Sequence, residues 1–491
     1  MDTGATPRES TASAASVTLE RAEQSLDVEG AVADAERVYA RQPYRYRFEQ
    51  NEEPEWRRLP GFASVTRSDW DNPTWQRRNS VRSVGALAEV FGRFLAPELA
   101  RSIERDQAER ATMPLSVPPQ MINTMDEQRL WTDPIRRYML PAVDDRDVEW
   151  PTHPVAQRDS LHEAEMFAVD GLIHRYPTKV LIELTATCPQ YCGHCTRMDL
   201  VGHDVPQVEK LRLRNNRKTR HDAALEYMRR VPWVRDVVVS GGDIADVPIK
   251  YLEAFLSSLF EIENIRSVRL ATKALIGVPQ YFLEPNVLAA FERIARKAER
   301  EDVSLAMHVH INHAQSVTPT VSAASRALQE VGIHHVRNQG VLLRGVNDSF
   351  EDLLDLCFAL LDKAHIQPYY FYMCDMIPNS EHWRIPLASA QRLQDDLTGY
   401  LPGFATPRIV CDVPGVGKRL VHQVAEYDRI TGVSSWQKNY VTAVDADSAD
   451  AGDDSYYHYY DPVPSLPVEG QAYWRTLGSG NGVERSAHPA P

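Results

Sequence analysis

The sequence predicts an α/β protein: a partial six-fold parallel (β/α) barrel, with a helical N-terminal subdomain and a C-terminal extension. Three observations carry this. Strand-like apolar runs recur at Lys179–Thr185, Asp236–Ser240, Ser267–Thr272, Ser304–His310, His335–Gln339 and Pro368–Cys374. Amphipathic stretches of helical length lie between them, at Tyr251–Phe260, Asn286–Arg300, Val321–Val331 and Phe350–Ala364. Strand, helix, strand at this rhythm builds right-handed parallel units, and six of them close only part of a barrel. Unusual polar residues also stand at the ends of these runs, where parallel strands gather ligands. A further strand is expected at Arg408–Asp412.

Around this barrel, expected over 171–400, the chain divides by composition. Residues 1–60 are polar and broken by Pro43, Pro54 and Pro60, which predicts a partly disordered extension with one helix near Ala31–Ala40. Residues 61–170 carry Trp70, Trp75 and a helical stretch at Val84–Phe94, and read as a helical subdomain anchored by its tryptophans. Residues 401–436 hold the last strand and a glycine-rich loop. Residues 437–491 begin with an acidic stretch, Asp445–Asp454, expected to be a solvated linker, and continue with Tyr456, Tyr457, His458, Tyr459 and Tyr460. Those tyrosines suit a docking patch, on the barrel or on a neighbouring subunit.

A chain of 491 residues with net charge −14 can bury a large core, and its charge argues against a nucleic-acid partner. The six cysteines do not form a disulfide framework and fit a reducing compartment. The first twenty residues have no apolar core and no run reaches membrane-spanning length, so no signal peptide, no membrane partner and a cytoplasmic location are expected.

Thr187–Thr196 (TCPQYCGHCT) places Cys188, Cys192 and Cys195 in a loop leaving the first strand. Three thiolates can hold a four-iron, four-sulfur cluster and leave one iron open to a small molecule. Zinc would want a fourth Cys or His, and although His194 lies inside the motif, the paired C-x2-C spacing is absent. Inert buried cysteines are the blander alternative. Ser240-Gly241-Gly242-Asp243 closes the second strand, as a plain turn or as a place where backbone approaches a ligand closely. Asp412-Val413-Pro414-Gly415-Val416-Gly417-Lys418 ends the last strand; it lacks the first glycine and the Ser or Thr of a phosphate-binding P-loop. A desolvated lysine there can form a Schiff base with an aldehyde, or be a surface turn residue. Asp375 and Asp412 stand at adjacent strand ends and could receive a cation or cap helices. His310, Asn312, His313 and Gln339, at strand ends, are either ligand contacts or satisfied core polar groups.

Together these pieces resemble one family. The cysteine spacing is that of radical S-adenosylmethionine (SAM) enzymes. The runs HRYPTKVLIELTATCPQYCGHCTR, VRDVVVSGGD, HINH, NQGVLLRGVND, PYYFYMCD, EHWRIP and CDVPGVGK resemble lysine 2,3-aminomutase and its relatives, over most of Trp70–Lys418. The resemblance implies a radical SAM barrel and an isomerase that moves the α-amino group of L-lysine to C3, giving β-lysine. It implies that Cys188, Cys192 and Cys195 hold the 4Fe-4S cluster, and that Ser240, Gly241, Gly242, Asp243, His310 and Gln339 seat S-adenosyl-L-methionine. Lys418 would be the Schiff-base lysine of pyridoxal 5′-phosphate, with Arg175 and Tyr176 lining that cofactor. Arg197 would pair with the substrate carboxylate, and Asp375 and Asp412 would grip its side-chain ammonium, which points to a cationic amino acid. Implied partners are a small-molecule amino acid, an electron donor such as flavodoxin or ferredoxin, and further copies of the chain in a dimer or tetramer.

The chain departs from the family in reading Arg197-Met198-Asp199 after the cysteines and in carrying Val416 within a shorter loop before Lys418. Ser349 stands where some members have a zinc-binding cysteine and none follows Cys411, so no structural zinc is expected. The alternatives are the same shift on arginine or ornithine, a different radical SAM and pyridoxal reaction, and a zinc-bearing interaction protein.

Overall fold

A computed structural model describes residues 28–41, 44, 47, 52–441 and 456–478. Two compact units divide the chain, Met1–Arg47 and Phe48–Pro491. In the first, the expected helix spans Val28–Tyr39 and buries none of its residues. The rest of the expected N-terminal extension up to residue 27, and Asp445–Asp454, lie outside the described residues.

The second unit is built on a ten-stranded sheet whose spatial order follows the chain: β1 (Phe167–Val169), β2 (Leu172–Tyr176), β3 (Lys179–Thr185), β4 (Asp236–Gly241), β5 (Ser267–Thr272), β6 (Ser304–Val309), β7 (His335–Leu342), β8 (Gln367–Met373), β9 (Arg408–Val413) and β10 (Gly417–Leu420). Neighbours from β3 to β9 all pair in parallel. These are the six expected strands plus the expected seventh, an open barrel. The strands bury Val180, Ile182, Val237, Val239, Val268 and Leu270 at every second position, and Phe371 in β8, which sets one face of the sheet against the core. The crossover helices turn one apolar stripe inward; Ile249–Phe260 buries Leu252, Phe255, Leu256 and Leu259 at helical spacing.

Two antiparallel additions close the sheet's ends. The β1–β2 hairpin, absent from the sequence reading, precedes β3, and β10 folds back on β9. The N-terminal helices are knit by aromatic packing, with the rings of Trp56 and Trp70 stacked at 4.8 Å and Trp75 6.0 Å from Trp70. No helix among the described residues is long and apolar enough to cross a membrane.

The tyrosine run docks on the barrel. Tyr456–Tyr460 forms β13, the edge of a second sheet with β11 (Glu426–Asp428) and β12 (Val433–Gln437). The Tyr459 hydroxyl donates to the Cys374 carbonyl at 2.9 Å, just past β8. Arg384 donates to the Tyr460 carbonyl and forms a fully buried ion pair with Glu381 at 2.5 Å. Removing one member of such a pair strands the other charge out of water. Arg384→Met should therefore destabilise the protein by roughly 3–5 kcal/mol, measured by urea unfolding, and adding Glu381→Gln should recover much of the loss.

Candidate active site

The cysteine loop rests on the end of β4. The pairing of β3 with β4 shifts between Glu183 and Thr185, so that Thr185 faces Gly241. The Gly242 N–H donates to the Thr185 carbonyl at 2.6 Å and the Asp243 N–H to the Thr187 carbonyl at 3.0 Å. A Cβ on either glycine would run into those carbonyls, and Gly241 has φ of +107°. Asp243 staples this seam to β5, accepting from Thr272 Oγ1 (2.7 Å), the Lys273 N–H (2.7 Å) and the N–H groups of Ala245 and Ala274. Its carboxylate is thus engaged within the chain, while Ser240 is buried at the end of β4.

Cys188, Cys192 and Cys195 are free thiols at intermediate exposure. Cys188 and Cys195 lie against an apolar cluster that includes Tyr191, Met198 and Ile377. Burial, reinforced by the neighbouring Cys192, pushes the Cys195 thiol up to about 11, and Cys188 rises further for the same first cause. Among the described residues no three His, Cys, Asp or Glu side chains close on one metal-ion point. His194, inside the motif, lies 3.4 Å from the Asn312 amide through Nε2, and its ring centroid is 5.5 Å from that of His310. His310 follows β6 directly, and its Nε2 has no hydrogen-bond partner.

Lys418 arrives from the other end of the sheet. Gly415 and Gly417, both with positive φ, turn the chain between β9 and β10, and Lys418 lies in β10 opposite Asp412 rather than in the loop that the sequence suggested. Its N–H donates to the Tyr176 hydroxyl at 3.1 Å. Its Nζ lies 5.7 Å from the Tyr176 ring centroid and 5.5 Å from that of Tyr372. Arg175, 6% exposed, pairs with Asp412 at 2.9 Å and donates to the Val413 carbonyl, while its Nε has no hydrogen-bond partner. Gln339 belongs to this group too. It lies within β7, which continues to Leu342 and so outruns its expected end, and its side chain bonds the Tyr372 hydroxyl (2.8 Å) and His308 Nδ1 (2.9 Å).

Arg197 and Asp375 join the two groups. Arg197 donates to Glu163 through Nε (2.8 Å) and Nη2 (2.9 Å), and Glu183 lies 3.5 Å away. All three line a cavity of about 440 Å³ together with Thr196. Burial, with Glu163 adding to it, pushes Glu183 up to about 8 against the pull of Arg197. Asp375 lies near Asp412, Thr196 and Arg175; burial first, then Asp412, pushes its carboxyl up to about 7. Thr196 follows Cys195 in the chain, so the cysteine loop and the Lys418 cluster share one interior. The sequence reading missed Glu163 and Glu183. The signal for Glu183 was there, an acid in the middle of the apolar run KVLIELT.

No protein-family model matches the chain. The L-lysine 2,3-aminomutase of Acetoanaerobium sticklandii is 31% identical over 356 residues, spanning 72% of this chain and 79% of that one. That of Clostridium subterminale is 30% identical over 364 residues, spanning 74% and 80%. The chain belongs to the lysine 2,3-aminomutase family. The protein is thus an aminomutase, an isomerase. The glutamate 2,3-aminomutase of Clostridioides difficile is 25% identical over 387 residues, or 78% of this chain and 84% of that one.

The aminomutase's own residues fit the groups that such chemistry would use. Three free thiols on one short loop suit a multi-iron centre, in which each sulfur meets its own iron. A buried lysine beside an arginine with an unpartnered Nε suits an aldehyde carrying a phosphate. The unpartnered Nε2 of His310 faces the same interior as His194. The seam itself is testable without any cofactor. Gly242→Ala forces backbone apart and should destabilise the apo protein by roughly 1–3 kcal/mol in urea unfolding.

Proposed function

We propose that the aminomutase moves the α-amino group of L-lysine to C3, giving β-lysine. The observation that carries this is the enclosure of Lys418 among Tyr176, Tyr372, Arg175 and Asp412, in an interior reached from the other side by the cysteine loop through Thr196 and Asp375. When bound, the iron–sulfur cluster and S-adenosylmethionine supply a 5′-deoxyadenosyl radical, and pyridoxal phosphate supplies the π system across which nitrogen moves.

The chain's residues hold, orient and exclude. Cys188, Cys192 and Cys195 would hold the cluster; Gly241 and Gly242, with Ser240 and His310, would shape the S-adenosylmethionine seat, Asp243 keeps that seat in register, and Gln339 orients Tyr372 beside Lys418. Lys418 would hold the aldehyde of pyridoxal phosphate, Arg175 its phosphate and Tyr176 its ring. Arg197, whose Nε and Nη2 are taken by Glu163, keeps Nη1 for the substrate carboxylate. Asp375 and Asp412 receive the distal ammonium, and their separation from Arg197 sets the substrate's length. The buried tyrosines keep water from a site where a carbon radical must survive. Flavodoxin or ferredoxin supplies the electron, and the protein works in the cytoplasm as a homo-oligomer.

Anaerobic protein given both cofactors should convert L-lysine to β-lysine; turnover of arginine or ornithine with lysine untouched would move the substrate within the same class. Lys418→Ala should lose the visible absorbance of bound pyridoxal phosphate, and a band that persists would identify another lysine as the anchor. Asp375 must be ionised to hold an ammonium. Its free-site carboxyl stands at about 7, so kcat/KM for lysine should fall as pH drops through that value. Asp375→Asn should flatten that limb and raise KM at neutral pH about 30-fold, the equivalent of losing ~2 kcal/mol.

A further inference from the structure

Lys273 immediately follows β5, at the sheet edge that bears the cysteine loop. Its residue is only 8% exposed, and its Nζ has no hydrogen-bond partner. Among the described residues it forms no ion pair. A buried ammonium without a counter-ion is among the costliest arrangements a chain can hold. The carboxylate bonded to its backbone, Asp243, is already engaged by four N–H and O–H donors.

Lys273 adjoins the cysteine loop through Gln190 and Tyr138. The Gln190 side chain, between Cys188 and Cys192, donates to the Lys273 carbonyl at 3.0 Å. Nζ lies 4.8 Å from the Tyr138 ring centroid. Tyr138 meets the His194 ring edge-on at 5.7 Å, and its carbonyl accepts from the Gly193 N–H at 3.1 Å.

We propose that Lys273 is a positioning charge for the cluster: its unpaired ammonium stabilises the reduced state held by Cys188, Cys192 and Cys195, and so sets the reduction potential. This rests on the cluster reading above. One electron from an external low-potential donor takes the cluster from its oxidised to its reduced state with no bond made and no proton moved. With three thiolate ligands the net charge of the centre goes from minus one to minus two. A fixed cation in a low-dielectric interior favours the second state over the first. The ammonium therefore meets its counter-charge only when the cluster is in place, and meets it best when the cluster is reduced. Lys273 acts through this field and does not touch the reacting atoms.

The test is a dye-mediated redox titration of reconstituted protein without substrate, followed by the EPR signal of the reduced cluster, with iron and sulfide measured on each sample. Lys273→Met and Lys273→Gln should carry iron and sulfide like the wild type but show a more negative midpoint. Lys273→Arg, which keeps the charge, should stay at the wild-type value. A neutral variant that is fully loaded and titrates at the wild-type midpoint overturns the proposal, as does an arginine variant shifted as far as the neutral ones. Wild-type protein that takes up no iron and sulfide sinks the cluster reading itself, a different failure from an unmoved midpoint.

Discussion

Two backbone hydrogen bonds, from Gly242 to the Thr185 carbonyl and from Asp243 to the Thr187 carbonyl, hold the exit of β3 against the end of β4. The rest of the site is referenced to this seam. It fixes where the first thiol leaves the sheet, and it needs two residues without side chains, because the carbonyls it joins occupy the space a Cβ would need. Asp243 then extends the seam sideways. By taking the N–H groups of Lys273 and Ala274 and the Thr272 hydroxyl, it locks the ends of β4 and β5 together. Three strand ends become one rigid edge, and a loop springing from a rigid edge can hold three sulfurs at fixed spacing.

The opposite end of the sheet is closed by a different device. β10 has no apolar run of its own and is held by its ladder to β9 and by the Tyr176 hydroxyl, which accepts from the Lys418 N–H. Because β2, carrying Arg175 and Tyr176, leads directly into β3, the residues that receive Lys418 are tethered to the strand that launches the cysteine loop. An opening of the barrel would therefore separate Lys418 from its neighbours before it disturbed the cysteines.

The parallel strands were legible because their buried apolar residues recur between stretches of helical length; of the two readings open for the glycine pair, a plain turn or a close approach to a ligand, the structure shows a close approach of backbone to backbone. Lys418 was found as a residue but placed in a loop, since Gly-Lys-Arg-Leu shows no strand signal and becomes a strand only by pairing with β9. Gln339 was taken to end β7 because it is polar; it lies within the strand, its amide satisfied by His308 and Tyr372. The β1–β2 hairpin carried an Asp170-Gly171 turn signal that its short strands obscured. Glu163 and Lys273 had no motif to announce them. Each is a single charge whose meaning comes from burial and from partners far off in the chain.

The charges in this interior bear on which side chain it admits. Arg175 is neutralised by Asp412 and Arg197 by Glu163. Glu183 and Asp375, at about 8 and about 7, are the groups whose charge is left open. Bringing either to full ionisation costs about 1.4 kcal/mol for each pH unit by which its carboxyl stands above the working pH. A cationic side chain supplies that energy by its own attraction, and a proton leaves as it binds. An anionic side chain would raise both carboxyls further. The proposed preference for a cationic over a glutamate-like substrate rests on these two open carboxyls.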